Sequence, residues 1–117
     1  MKKLILAFLF LPLASFSQDC PDLPEYYSSY DEAIYEVMGS FFPFDETLPS
    51  PHSSWIYSAT YKSCDEEYGF LIIETGSKSY IHEDVPVWIW SGYKAAYSKG
   101  SYYHSNIKGR YQFKSLW

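Results

Sequence analysis

One segment near the C-terminus, residues 98–111, combines positive charge with aromatic rings. We call it the basic aromatic segment, and it contains no acidic residue. Its cations and tyrosines are Lys99, Lys108, Arg110, Tyr102, Tyr103 and Tyr111. Rings of this kind stack on flat ligand faces, and neighbouring cations hold anionic groups. The segment therefore predicts a surface that binds sugars or single-stranded nucleic acid.

A second interpretation places these tyrosines in the core and the cations at its rim. Aromatic residues form 21% of the chain, and a small domain must bury most of them. Charge is also segregated: residues 18–51 contain acids but no Lys or Arg, whereas the chain from Lys94 onward contains cations but no acid. The cations could therefore face the acidic part of the same chain. The sequence leaves both interpretations open.

No combination of residues indicates catalysis. His52, His82 and His104 fall in separate predicted elements, and no two of them have the spacing of metal ligands. The carboxylate pairs at 66–67 and 83–84 fall in predicted turns, where acidic side chains are usually solvated. We therefore predict no enzyme activity, no metal and no cofactor, with a small secreted hydrolase as an alternative.

The first element that must support this segment is a helix. Ser29 and Glu32 have the spacing of a capping box, in which each side chain satisfies a backbone donor at the helix start. Apolar residues then recur at intervals of three and four up to Phe41, which is typical of one helical face. Residues 41–44 include Pro43 and predict a short edge strand, followed by a loop over 45–52.

Two runs rich in aromatic and β-branched residues, 55–61 and 69–74, predict strands. Gly76 in the turn that follows predicts a tight hairpin into a third strand over 78–82. The pattern indicates an α+β fold with a small antiparallel sheet.

A second helix is predicted after the third strand. Pro86 suits its first turn, and it should run from Val87 to about residue 97 and end at Gly100. Residues 111–113 are expected to add a last strand. The helix thus lies between the third strand and the C-terminal segment, and the N-terminal helix packs on the same domain. The expected core is Ile56, Leu71, Ile73, Tyr80, Ile89, Trp90, Tyr93 and Ala96, covered by Ile34, Val37 and Met38.

The N-terminus has the pattern of a signal peptide. Two lysines precede an apolar run over residues 4–14 that is too short to cross a bilayer, and small residues flank Phe16. Cleavage is expected before Gln18, which leaves 100 of the 117 residues in one domain without a membrane span. Loss of Lys2 and Lys3 changes the formal net charge from −5 to −7. We expect a periplasmic or secreted protein with little affinity for nucleic acid.

The chain has two cysteines, Cys20 and Cys64, and both lie in the part that would be exported. An oxidising compartment favours a disulfide between them. Neither cysteine has a second ligand at short spacing, which disfavours a metal site.

The second half of the chain resembles the KTSC domain, a short module named after the C-terminus of some lysyl-tRNA synthetases. The likeness extends over residues 53–111: it lies in residues 53–56, Tyr61, 71–74, Gly76, Tyr80, 85–86, 96–100, 102–103 and 107–111. One departure is His82, because the family usually has Tyr-x-Tyr where this chain has Tyr80-Ile81-His82. The resemblance implies a small domain, for which RNA binding has been suggested.

These observations predict three segments: a signal peptide over 1–17, a helix and strand extension over 18–52, and a KTSC-like domain over 53–117. We expect a non-catalytic interaction module whose contact surface is the basic aromatic segment. Its partner would be a protein or an anionic or sugar-like ligand. The alternative implied by the resemblance is RNA binding.

Overall fold

The computed structural model describes residues 20–50 and 55–117, so the predicted signal peptide, its cleavage site and His52 lie outside the described residues. The described elements are α1 (Tyr30–Met38), β1 (Phe44–Pro49), β2 (Ile56–Ser63), β3 (Tyr68–Thr75), β4 (Ser79–Pro86), α2 (Val87–Ala95) and α3 (Lys99–Asn106). The four strands form one antiparallel sheet in the order β1-β2-β3-β4. The predicted α+β class is confirmed.

The start of α1 lies where the capping box predicts it. Ser29 Oγ accepts a hydrogen bond from the Glu32 backbone N–H at 3.1 Å. Glu32 Oε1 accepts one from the Ser28 backbone N–H at 3.0 Å, one residue earlier than the standard box requires. The Ser28 hydroxyl also donates to that carboxylate. Local capping chemistry therefore determines where this helix begins.

The predicted edge strand over residues 41–44 and the predicted loop over 45–52 have the wrong boundary: β1 begins only at Phe44 and contains residues 45–49. Half-buried and exposed residues alternate along β1, and Phe44 and Leu48 pack against the buried cluster under α2. Pro49 ends the strand, and an edge strand tolerates proline because one side of its backbone has no partner.

The prediction that Gly100 ends the second helix is also wrong. The helix α2 ends at Ala95, and Gly100 lies inside the additional helix α3. The Ser98 hydroxyl begins α3 by accepting from the Ser101 N–H at 3.2 Å. In place of the last strand expected at residues 111–113, the chain makes an isolated bridge between Gln112 and His82.

Two apolar clusters lie on opposite faces of the sheet, since successive strand side chains point to opposite sides. The first lies under α2 and α3 and contains Ile56, Ala59, Tyr61, Leu71, Ile73, Val85, Ile89, Trp90, Tyr93, Tyr103 and Ile107. The second lies under α1 and contains Tyr27, Ala33, Val37, Phe42, Ile72, Ile81 and Phe113. Two residues expected in the core are not buried there: Tyr80 is 38% exposed and Ala96 is half-buried.

A disulfide joins Cys20 to Cys64, with the two Cα atoms 5.4 Å apart. It ties the segment before α1 to the turn between β2 and β3, as the cysteine count predicts. Within the described ranges, no helix is long and apolar enough to cross a membrane.

Candidate functional site

The tyrosines of the basic aromatic segment belong mainly to the core. Tyr103 is only 4% exposed, and Tyr102 and Tyr111 are half-buried against the first cluster. The Tyr102 hydroxyl donates to the Ile89 carbonyl at 3.0 Å, which joins α3 to α2. These rings therefore hold the segment on the sheet.

The three cations that were predicted to form the contact surface lie in different surroundings. Lys99 Nζ donates to the carbonyls of Lys94 and Ala96, at 3.1 and 2.7 Å, and so satisfies acceptors at the end of α2. Arg110 is exposed, and its Nε donates to the Ser105 carbonyl at 3.2 Å. Lys108 is exposed and lines an open cleft. Of the three, Lys108 is the cation that reaches this cleft.

This cleft, which we call the central cleft, has a volume of about 490 Å³. It is lined by Trp55, Tyr80, His82, Tyr103, His104 and Lys108. The Trp55 ring lies 5.6 Å from the Tyr103 ring, edge to face, and 5.3 Å from the His104 ring. The start of β2, the strand β4 and the helix α3 thus bring aromatic side chains together around one space.

Gly100 explains how Trp55 reaches its place in the cleft. A Cβ atom at Gly100 would lie 2.6 Å from Trp55 Nε1, so any side chain there would collide with the indole. The indole nitrogen therefore lies against the α3 backbone.

His82 and Tyr103 form a buried hydrogen-bonded pair in the floor of the cleft. His82 Nδ1 lies 3.1 Å from the Tyr111 carbonyl oxygen, and Nε2 lies 2.8 Å from the Tyr103 hydroxyl. A carbonyl only accepts hydrogen bonds, so Nδ1 carries the proton of the neutral ring and Nε2 accepts from Tyr103. This arrangement joins β4, α3 and the segment after α3.

The pKa values of this pair keep both groups neutral. Burial lowers the pKa of His82, although its bond to the Tyr111 carbonyl acts in the opposite direction. Burial, with a smaller contribution from Tyr80, raises the pKa of Tyr103 to about 12. At neutral pH the proton therefore stays on the tyrosine oxygen.

Two further hollows adjoin the central cleft at Tyr80. One of about 750 Å³ lies between β4, the first turn of α1 and residues 112–113, and its lining includes Tyr30 and Lys78. The other, of about 340 Å³, lies beside the β3–β4 turn, and its lining includes Trp55 and Tyr57. Lys78 Nζ lies 5.2 Å from the centre of the Tyr80 ring. Tyr80 lines all three spaces.

Sequence reasoning did not select Trp55, Tyr80 or His104 as site residues. The sequence predicts strands for Trp55 and Tyr80 and places Tyr80 in the core. One sequence signal could have identified Tyr80 as a site residue. Tyr80 and His82 point to the same side of β4, at the position where the KTSC family has Tyr-x-Tyr. Lys99, Tyr102, Arg110 and Tyr111 do not line the central cleft. Among the described residues, no group of three or more His, Cys, Asp or Glu side chains is placed to hold a metal ion.

The antiparallel meander of four strands, followed by helices α2 and α3, makes this a small α+β domain. Its fold is similar to the crystal structure of a KTSC domain protein from Yersinia pestis, with a TM-score of 0.51 and 25% sequence identity. The match covers 63% of this chain and all of that chain. No protein-family model matches the chain, and no curated protein matches it. The chain therefore has a KTSC-domain fold, as the sequence resemblance implied.

Proposed function

We propose that this protein is an exported, non-catalytic binding module and that the central cleft is its contact surface. The observation that carries this proposal is the position of Lys108. Lys108 is an exposed cation of the basic aromatic segment, and it stands at a cleft bounded by the rings of Trp55 and Tyr80. A concave space with aromatic walls and a few polar groups is the usual form of a ligand site.

The protonation states in the cleft favour binding over catalysis. A general acid or base works best when its pKa lies near the operating pH. Tyr103 has a pKa of about 12, and the pKa of His82 is lowered while its ring is held between two partners. Among the described residues, those that line the central cleft include no Asp or Glu. These features support a binding role rather than the alternative of a hydrolase.

Net charge favours a partner other than RNA. Binding to a phosphate backbone requires several cations to replace its counterions. The chain has a formal net charge of −5, and the described residues that line the central cleft include one lysine. A flat ligand with few charges suits the cleft better than a nucleic-acid strand.

Export is supported by the disulfide, which suits an oxidising compartment. Mass spectrometry of protein recovered from the periplasm or medium should find a chain that begins at Gln18. Recovery of the intact chain from the cytoplasm alone would contradict export.

Titration followed by backbone amide NMR tests the contact surface. The probes are acidic and neutral hexasaccharides, a thymidine hexanucleotide and an acidic hexapeptide. We expect at least one probe to shift the amides of Trp55, Tyr80 and Lys108. Lys108→Glu should abolish that binding, whereas Arg110→Glu, a matched reversal outside the cleft, should preserve it. Binding that is insensitive to Lys108→Glu, or the absence of shifts in the cleft with every probe, would contradict the proposal.

A further inference from the structure

We infer that the ligand of the central cleft is an acidic oligosaccharide that lies as an extended chain across Tyr80. This inference rests on the proposed function and adds the ligand class. It begins from the three adjoining spaces, of about 750, 490 and 340 Å³, all of which Tyr80 lines. Three adjoining spaces that share one residue suit a linear ligand of several units rather than one compact molecule.

Each of the three spaces has aromatic side chains in its lining. The largest has Tyr30 and Phe113, the central cleft has Trp55 and His104, and the smallest has Tyr57 together with Trp55. Tyr30 and Tyr57 are more than half exposed, at 53% and 66%. Exposed rings give each unit of a linear ligand a flat surface to stack on. A sugar ring has C–H groups on its faces, and these can pack against the flat face of an aromatic side chain.

The polar groups of the cleft suit sugar hydroxyls. The Tyr103 proton is engaged by His82, so the Tyr103 oxygen has only acceptor capacity left for a ligand. A hydroxyl group can donate to it.

Charge indicates that the oligosaccharide is acidic. Lys108 lines the central cleft and Lys78 lines the largest space, although the chain as a whole has a net charge of −5. Within the part of the chain that the structure describes, the one acid that lines these spaces is Asp31, in the same hollow as Lys78. Two lysines in adjoining spaces suit carboxylate or sulfate groups spaced along a chain.

Calorimetry on the oxidised mature protein tests this inference. The probes are hexasaccharides of galacturonic acid and of hyaluronan, with methyl-esterified galacturonate as the neutral counterpart. We expect at least one acidic hexasaccharide to bind at least tenfold more tightly than the neutral counterpart, and less tightly at high salt. Lys108→Ala and Tyr80→Ala should each weaken binding about tenfold.

Two variants serve as matched controls. Arg110→Ala removes an exposed cation outside the three spaces, and Tyr97→Ala removes a fully exposed ring outside them. Both should bind like the parent protein. Equal affinity for acidic and neutral sugars, or loss of binding in the controls as well, would overturn the inference. If the hexanucleotide or the hexapeptide alone shifts the cleft residues, the inference fails and the proposed function stands; if no probe does so, both fail.

Discussion

The Tyr103 hydroxyl donates to His82 Nε2 across 2.8 Å, and this bond joins α3 to β4 in the floor of the central cleft. Both side chains are buried, at 4% and 8% exposure. A buried acceptor that loses its partner costs about 1 to 3 kcal/mol, so the neutral histidine is part of what holds α3 on the sheet.

Because of His82, we expect stability to fall as the pH drops below about 6.5. Burial lowers the pKa of His82 in the folded protein, so between the two pKa values the unfolded chain binds more protons. The contribution of neutral His82 is complete above the unfolded pKa and is lost as the pH falls toward the folded pKa. Urea unfolding measured from neutral pH to about pH 5 gives the slope of the unfolding free energy against pH.

The control for this effect is a second histidine. His82→Gln should remove the slope in this range, whereas His104→Gln, at an exposed position, should retain it. An unchanged slope in His82→Gln would show that another group is responsible.

Gly92→Ala should destabilise the protein by about 1 to 3 kcal/mol. In most helices this change stabilises by about 1 kcal/mol, because alanine is the better helix former. Here a Cβ atom would lie 2.2 Å from the Tyr102 hydroxyl, which is bonded to the Ile89 carbonyl. The sign of the change in unfolding free energy is therefore diagnostic.

The same substitution in a Tyr102→Ala background separates the collision from other effects. With the phenol removed, Gly92→Ala should become neutral or stabilising. Destabilisation of equal size in both backgrounds would mean that the contact with Tyr102 is not the cause.

Ile72→Ala and Ile73→Ala should each cost about 2 to 5 kcal/mol. Both residues are fully buried, but they lie on opposite faces of β3, Ile72 under α1 and Ile73 under α2. If residues 20–50 form part of one cooperative domain, both substitutions should lower the unfolding free energy measured with denaturant by similar amounts. A cost well below 1 kcal/mol for Ile72→Ala alone would identify α1 as a separable attachment.

Removal of the Cys20–Cys64 disulfide should lower stability by about 4 kcal/mol, the chain-entropy value for a separation of 44 residues. The comparison is urea unfolding of the parent and the Cys20→Ser/Cys64→Ser variant. A matched pair of substitutions at exposed Ser77 and Ser105, each to alanine, controls for the number of changes. Equal stability of the parent and the disulfide-free variant would contradict the prediction.

The sequence by itself determined the features that depend on local chemistry. The capping box located α1, the runs rich in aromatic and β-branched residues and the glycine turn located β2, β3 and β4, and the KTSC resemblance indicated the same fold. The cysteine count sufficed for the disulfide because only one pairing exists within the chain. Each of these signals lies within a short stretch or follows from a simple count.

The tertiary structure decided which aromatic residues are buried and which line the cleft. A tyrosine has an apolar ring and a polar hydroxyl, so its place depends on what packs against it. Tyr103 is buried because α3 packs on the sheet, whereas Tyr80 remains part-exposed at the open edge. The helix α3 itself contains Gly100 and mostly polar residues, and its position depends on contacts with Trp55 and Ile89 that come from distant parts of the chain. Such contacts form only when the elements meet, which is why the cleft could not be read from local sequence patterns.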